Sequence, residues 1–152
     1  IVPHSLVDSG LRWHVRAFDR VKGQFRDLVL TRMERLKSSA DIAPPQPYEL
    51  IEADEQWQRS LSLTLVPHPA HPHPKVIAKD FGMKRGQLMV ELRAAVAGYV
   101  LRQWLVDCSS DAALRGPEFR LRLADPAQLA GVSSAPLAPG YEVAGENKKA
   151  KT

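Results

Sequence analysis

The chain has 152 residues, 44% of them hydrophobic, with 21 Lys and Arg against 17 Asp and Glu and a single cysteine. That is apolar enough to bury a core and excludes wholesale disorder. No run approaches the ~18–20 consecutive apolar residues of a membrane span, and a lone Cys108 excludes an internal disulfide framework or a multi-cysteine metal site. The first residues, IVPHSLVDSG, lack the basic and apolar regions of a secretory signal, so the expected setting is cytoplasmic, with no membrane partner. Charge is uneven along the chain. Residues 1–37 hold Arg12, Arg16, Arg20, Lys22, Arg26, Arg32, Arg35 and Lys37 against Asp8, Asp19, Asp27 and Glu34, whereas acids outnumber bases over 38–145. An anionic partner would be drawn to the front.

In chain order, IVPHSLVDSG reads as the end of a strand and a turn. Gly10 to Phe18 and Gln24 to Met33 are strand-like runs, and DRVKG between them, with its glycine, predicts a β-hairpin. On the first run Trp13, Val15 and Ala17 alternate with Arg12, His14 and Arg16, which predicts one buried face and one cationic face. On the second, Leu28 and Leu30 share a parity with Arg26 and Arg32. The stretch SSADIAPPQPY is too proline-rich for a helix or central strand and predicts a linker.

Beyond it, SLSLTLV alternates Leu61, Leu63 and Leu65 with Ser60, Ser62 and Thr64, as a half-buried strand does. PHPAHPHP breaks that strand, and Pro74 opens a short helix, PKVIAKDF, that stops at Gly82. GQLMVEL predicts a strand with Leu88, Val90 and Leu92 on one side. RAAVAGYVLRQWLVD predicts a helix over 93–106, so apolar around its circumference that a sheet and a second subunit are expected to cover it. EFRLRLADP is a last strand, and the Ala/Pro/Gly-rich residues 133–152 are expected to form a disordered tail. The expected domains are thus 1–37, a linker over 38–56, an α+β domain over 57–132 and the tail.

Candidate chemistry is sparse. His68, His71 and His73 could supply three metal ligands, but four prolines interleave them and no acid or cysteine lies close, so a rigid polar loop is favoured and no metal is expected. Neither Ser5 beside His4 nor Cys108 beside Asp107 sits in a glycine elbow, and no phosphate-cradling glycine loop is present. No catalytic residue and no cofactor are therefore expected. The basic face is more informative. His14 and Arg16 on one strand and Arg26 and Arg32 on its neighbour are expected to converge, giving fork-shaped donors for an anion beside an apolar floor of Leu28 and Leu30, unless acids such as Asp19 and Asp27 compensate them.

The stretch PHSLVDSGLRWHVRAFDRVKGQFRDLVLTRM resembles the core of a WYL domain, the ligand-sensing module of bacterial transcriptional regulators. Trp13-His14-Val15 stands where that family has Trp-Tyr-Leu, and FRDLVLTRM resembles its closing strand. DEQW, LVPHP, DFGM and ELRAAVAGYVLRQWLVD extend the likeness, over about residues 1–130, to the BrxR/CapW-like subfamily that represses phage-defence operons. The resemblance implies an α+β chain, an Sm-like (SH3-type) small β-barrel lacking its first strand followed by a small α+β dimerisation domain. It implies a homodimer, and a basic pocket of His4, Ser5, His14, Arg16, Arg26 and Arg32 holding an anionic effector, a nucleotide or nucleic-acid fragment. Operator DNA would be read only by an N-terminal winged helix that these residues do not include. The alternative is an Sm-like module that binds single-stranded nucleic acid directly.

Overall fold

Three strands, β1 (Val2–Asp8), β2 (Trp13–Asp19) and β3 (Gln24–Val29), form an antiparallel sheet in the order β1-β2-β3. The computed structural model describes residues 1–35, 37 and 42–143, in two units, Ile1–Gln58 and Arg59–Thr152. Asp19 makes the β2–β3 hairpin: its Oδ1 accepts from the Val21 and Lys22 amides, and its carbonyl accepts from Gly23. Gly23 turns the chain at φ +65°, a conformation that a side chain would strain.

The second strand-like run is shorter than its hydrophobic pattern suggests. After Val29 the chain coils into a 3-10 helix, Leu30–Arg32, so Leu30 and Arg32 leave the sheet. The described residues of the first unit make a three-stranded sheet and no closed barrel. The supposed linker carries short helical turns where it is described, mostly exposed apart from Glu49 and Asp54. Pro47–Glu49 and Ile51–Ala53 are 3-10 helices and α1 (Glu55–Gln58) follows. Glu49 and Asp54 are buried there because each meets an arginine, Arg20 and Arg16 respectively. Prolines forbid a long helix but permit short turns whose first amide needs no acceptor.

In the second unit β4 (Ser60–Pro67), β5 (Leu88–Arg93), β6 (Val106–Asp107) and β7 (Leu121–Leu123) form a sheet ordered β5-β4-β7-β6, with only the β6–β7 pair parallel. Its leucine alternation holds: Leu61, Leu63 and Leu65 point inward with Leu121 and Leu123 against α3 (Ala94–Gln103). Between β4 and β5, α2 (Pro74–Asp80) starts on Pro74 and stops at Gly82. The apolar helix expected over 93–106 ends three residues early, because Leu105 takes φ +51° and Val106 enters the sheet beside Leu121.

The tail expectation is also corrected as far as Val143. Ser134, Ala135 and Ala138 are buried, and the Ser134 hydroxyl sits inside the backbone ladder of α3, accepting from the Gly98 amide at 2.9 Å and donating to the Ala94 carbonyl at 2.7 Å. Only glycine allows this approach, since a Cβ at position 98 would stand 1.7 Å from the Ser134 carbonyl oxygen. The apolar circumference of α3 is thus covered partly by its own chain. Residues 144–152 lie outside the described part.

Candidate functional site

The site grows from one β-bulge. β1 and β2 run in register until Ser5 faces Arg16, where His4 is an extra residue before Pro3 faces Ala17. The bulge brings His4 to the carboxylate that also holds Arg16. Arg16 is only 3% exposed; its Nε and Nη2 donate to Asp54 at 2.7 and 2.9 Å, and its Nη1 donates to Asp27 at 3.1 Å. Burial opposes the Arg16 charge, but Asp54 and Asp27 more than offset it and its pKa is raised. Burial likewise pushes the Asp54 carboxyl up, and the hydrogen bonds from Arg16 override it, holding Asp54 below the usual carboxylate range.

His4 completes the cluster. A carboxylate can only accept, so His4 Nε2 donates to Asp54 at 3.1 Å, and Nδ1 meets the Ser5 hydroxyl at 2.9 Å. Phe25 and Trp57 meet the imidazole edge-on. Ser5, His4 and Asp54 therefore stand in the contact order of a nucleophile, a base and its orienter. The arginine fork occupies both Asp54 oxygens and draws their charge away from His4, which blunts such a relay.

Strand register corrects the expected convergence of the basic groups. Arg16 lies opposite Asp27, and Ala17 lies opposite Arg26. Cross-strand partners share a face and neighbours along a strand do not, so Arg26 stands on the face away from Arg16. There it donates to Asp19 at 2.9 Å, a contact that lowers the Asp19 pKa. Arg32 is exposed on its 3-10 turn, off the strand. Of the six predicted residues, His4, Ser5, His14 and Arg16 share one face, while Arg26 and Arg32 do not join them. His14 is buried there rather than solvent-facing, and Trp13, expected inside, is 50% exposed. Both faces of β2 are covered, which a single alternation cannot reveal.

Sequence reasoning anticipated Asp27 as a compensating acid and missed Asp54. No local pattern links residues 38 positions apart; the only signal was the DEQW motif that begins with Asp54. On the Val15 face, Ile1, Pro3, Leu30, Met33 and Ile42 line a groove of about 510 Å³ with Arg20 and Lys37 at its polar positions.

The remaining candidates are structural. His68 is buried, with Nε2 3.0 Å from Asp107 and Nδ1 accepting from the Ala70 amide. Burial pushes the Asp107 carboxyl up, but donors led by the Ser109 hydroxyl and amide hold it low. No group of three or more His, Cys, Asp or Glu side chains placed to hold a metal ion occurs among the described residues. Cys108 is buried, which pushes its thiol up to about 12. No helix of the described residues is long and apolar enough to cross a membrane.

Comparison with known proteins complements this geometry. Residues 60–129 match the family described as the BrxR transcriptional regulator, C-terminal dimerization domain. The chain is BrxR/CapW-like, and residues 60–129 belong to that dimerization-domain family. It is 36% identical over 118 residues to the DNA-binding transcriptional repressor CapW of Pseudomonas aeruginosa, covering 76% of this chain and 37% of that protein. The corresponding repressor of Stenotrophomonas maltophilia is 34% identical over 102 residues, 66% of this chain and 33% of that protein. That of Escherichia coli is 33% identical over 105 residues, 68% of this chain and 33% of that protein. The BrxR/CapW-like chain thus spans about a third of the length of these curated relatives. The matched residues 60–129 contain β4 to β7 and both longer helices, and the Arg16 cluster lies outside them, in the first unit.

Proposed function

We propose that this chain is the effector-sensing and pairing region of a transcriptional repressor. Its first unit holds an anionic ligand, a nucleotide or nucleic-acid fragment, on the face of His4, Ser5, His14 and Arg16. Its second unit joins two copies, and occupancy alters operator binding by an N-terminal winged helix outside these residues. The carrying observation is the buried Arg16 fork, clamped by Asp54 and Asp27. Buried ion pairs contribute little net stability compared with an apolar core of the same shape. Two oxygens of a tetrahedral phosphate can accept side by side from the fork, as the two of a carboxylate do, and so compete for it. Asp54 lies five positions before Arg59, the first residue of the second unit, so displacing it perturbs the connecting segment. A kinship of the three-stranded sheet to Sm-like barrels fits the same reading.

Calorimetric titration with a short single-stranded oligonucleotide and with free nucleotides tests this. Asp54→Asn removes the competing charge and keeps one acceptor, so anion affinity should rise on the order of ten-fold, the worth of one charge-assisted hydrogen bond. Arg16→Gln should abolish binding in a chain whose circular dichroism is native. Unchanged affinity in both variants overturns the site.

A second reading has its own observation. Trp13 is half-exposed beside exposed Arg12, which suits a base stacking on the indole and a phosphate meeting the guanidinium, as in direct single-strand binders. A strand tracker loses affinity with salt in proportion to the phosphates it contacts, whereas an enclosed ligand gives a shallower slope.

A further inference from the structure

The two edges of the second sheet are built differently. β6 has two residues, both buried, and the chain that follows it is tied down by the bond from the Cys108 amide to the Pro139 carbonyl. β5 has six residues in unbroken register with β4, without a bulge or proline, and its two charged residues, Glu91 and Arg93, are exposed on the outer face, not turned inward. Short, covered or charged edges are how sheets avoid adding strands, and β5 has little of that protection. Its inward side chains also differ from those of its neighbours. Leu63, Leu65, Leu121 and Leu123 are fully buried, whereas Leu88, Val90 and Leu92 are half-buried, as are Phe81 and Met83. The core thins toward β5.

We infer that β5 is the edge through which a second copy of this chain pairs, antiparallel and centred on Val90, joining two four-stranded sheets. This rests on the pairing role proposed above for the second unit. A two-fold axis normal to the sheet keeps both inner faces on one side, so opposed residues must have the same parity. Centring on Val90 sets Val90 against the partner's Val90 and Leu88 against the partner's Leu92 on the inner face. On the outer face Met89 meets the partner's Glu91. Centring on Glu91 would oppose two carboxylates, and centring on Met89 would set Leu92 against the partner's Gly86; each loses a cross-strand pair that the Val90 register makes.

Met89 is 62% exposed, and its sulfur accepts from the Thr64 hydroxyl at 3.3 Å, so changing it removes one weak surface contact and no core packing. Sedimentation equilibrium of the 152-residue chain should show a dimer. Met89→Glu places like charges opposite each other twice and should weaken association on the order of ten-fold. Met89→Lys should leave it unchanged or tighter, and Met89→Glu combined with Glu91→Lys should restore it. Equal association of all four proteins overturns the β5 edge and leaves the pairing role standing. Weakening without rescue overturns the register, and a wild-type monomer at micromolar concentration overturns the pairing role itself.

Discussion

The two units are held together by different physics. At the centre of the first, a guanidinium, an imidazole and two carboxylates satisfy one another out of water; at the centre of the second, leucines from β4 and β7 pack on the alanine face of α3. An apolar core tolerates changes of pH and salt and punishes lost volume. A polar cluster does the reverse, since each member is costly to leave unpaired. The contrast fits the proposed division between a unit that responds to an anion and a unit that joins two copies.

The largest loss of stability is expected in the apolar core of the second unit. Leu63→Ala should cost about 2–5 kcal/mol in denaturant unfolding of the second unit, as a buried leucine truncation leaving a cavity. Asp54→Ala comes next, at about 3 kcal/mol, because it strands the buried Arg16 on Asp27 alone. If urea unfolding of Asp54→Ala matched wild type, the cluster would not organise the first unit.

Acid sharpens the difference. Asp19, Glu49 and Asp54 of the first unit and Asp107 of the second are all held below their ordinary range. A depressed carboxylate stabilises the fold fully above its unfolded value, about 4, and loses that contribution as pH falls through its lower folded value. Amide exchange followed as pH falls below about 4 should therefore show protection failing first in β1–β3. The smallest effect belongs to the pair of Asp19 and the partly exposed Arg26. Arg26→Ala should change stability by about 0–1 kcal/mol, and less at high salt.

What was legible in the sequence follows the same division. Strict alternation over β4 and β5, the proline opening α2 and the glycine closing it are local signals, and each element stands where its pattern placed it. The hairpin is legible for the same reason, through Asp19 and Gly23. The end of α3 at Gln103, the order of residues 133–143 and the burial of Asp54 were not, because a distant partner decides each. Val106 is drawn into the sheet by Leu121, Ser134 reaches a glycine 36 positions away, and Asp54 reaches an arginine 38 positions away.

His14 and Arg16 lie on one face because side-chain parity along β2 was readable, whereas His4 and Ser5, which only the family resemblance implied, join them through the β1 bulge. Arg26 was misplaced because parity within one strand does not state which face it shares with the next; cross-strand register does, and Arg26 fell opposite Ala17. The sequence by itself determined the local elements, the basic front and the kinship with BrxR/CapW-like regulators. Only the tertiary structure decided that Arg16 is buried between carboxylates, since charge compensation at such separation depends on where the chain returns and not on any residue's neighbours.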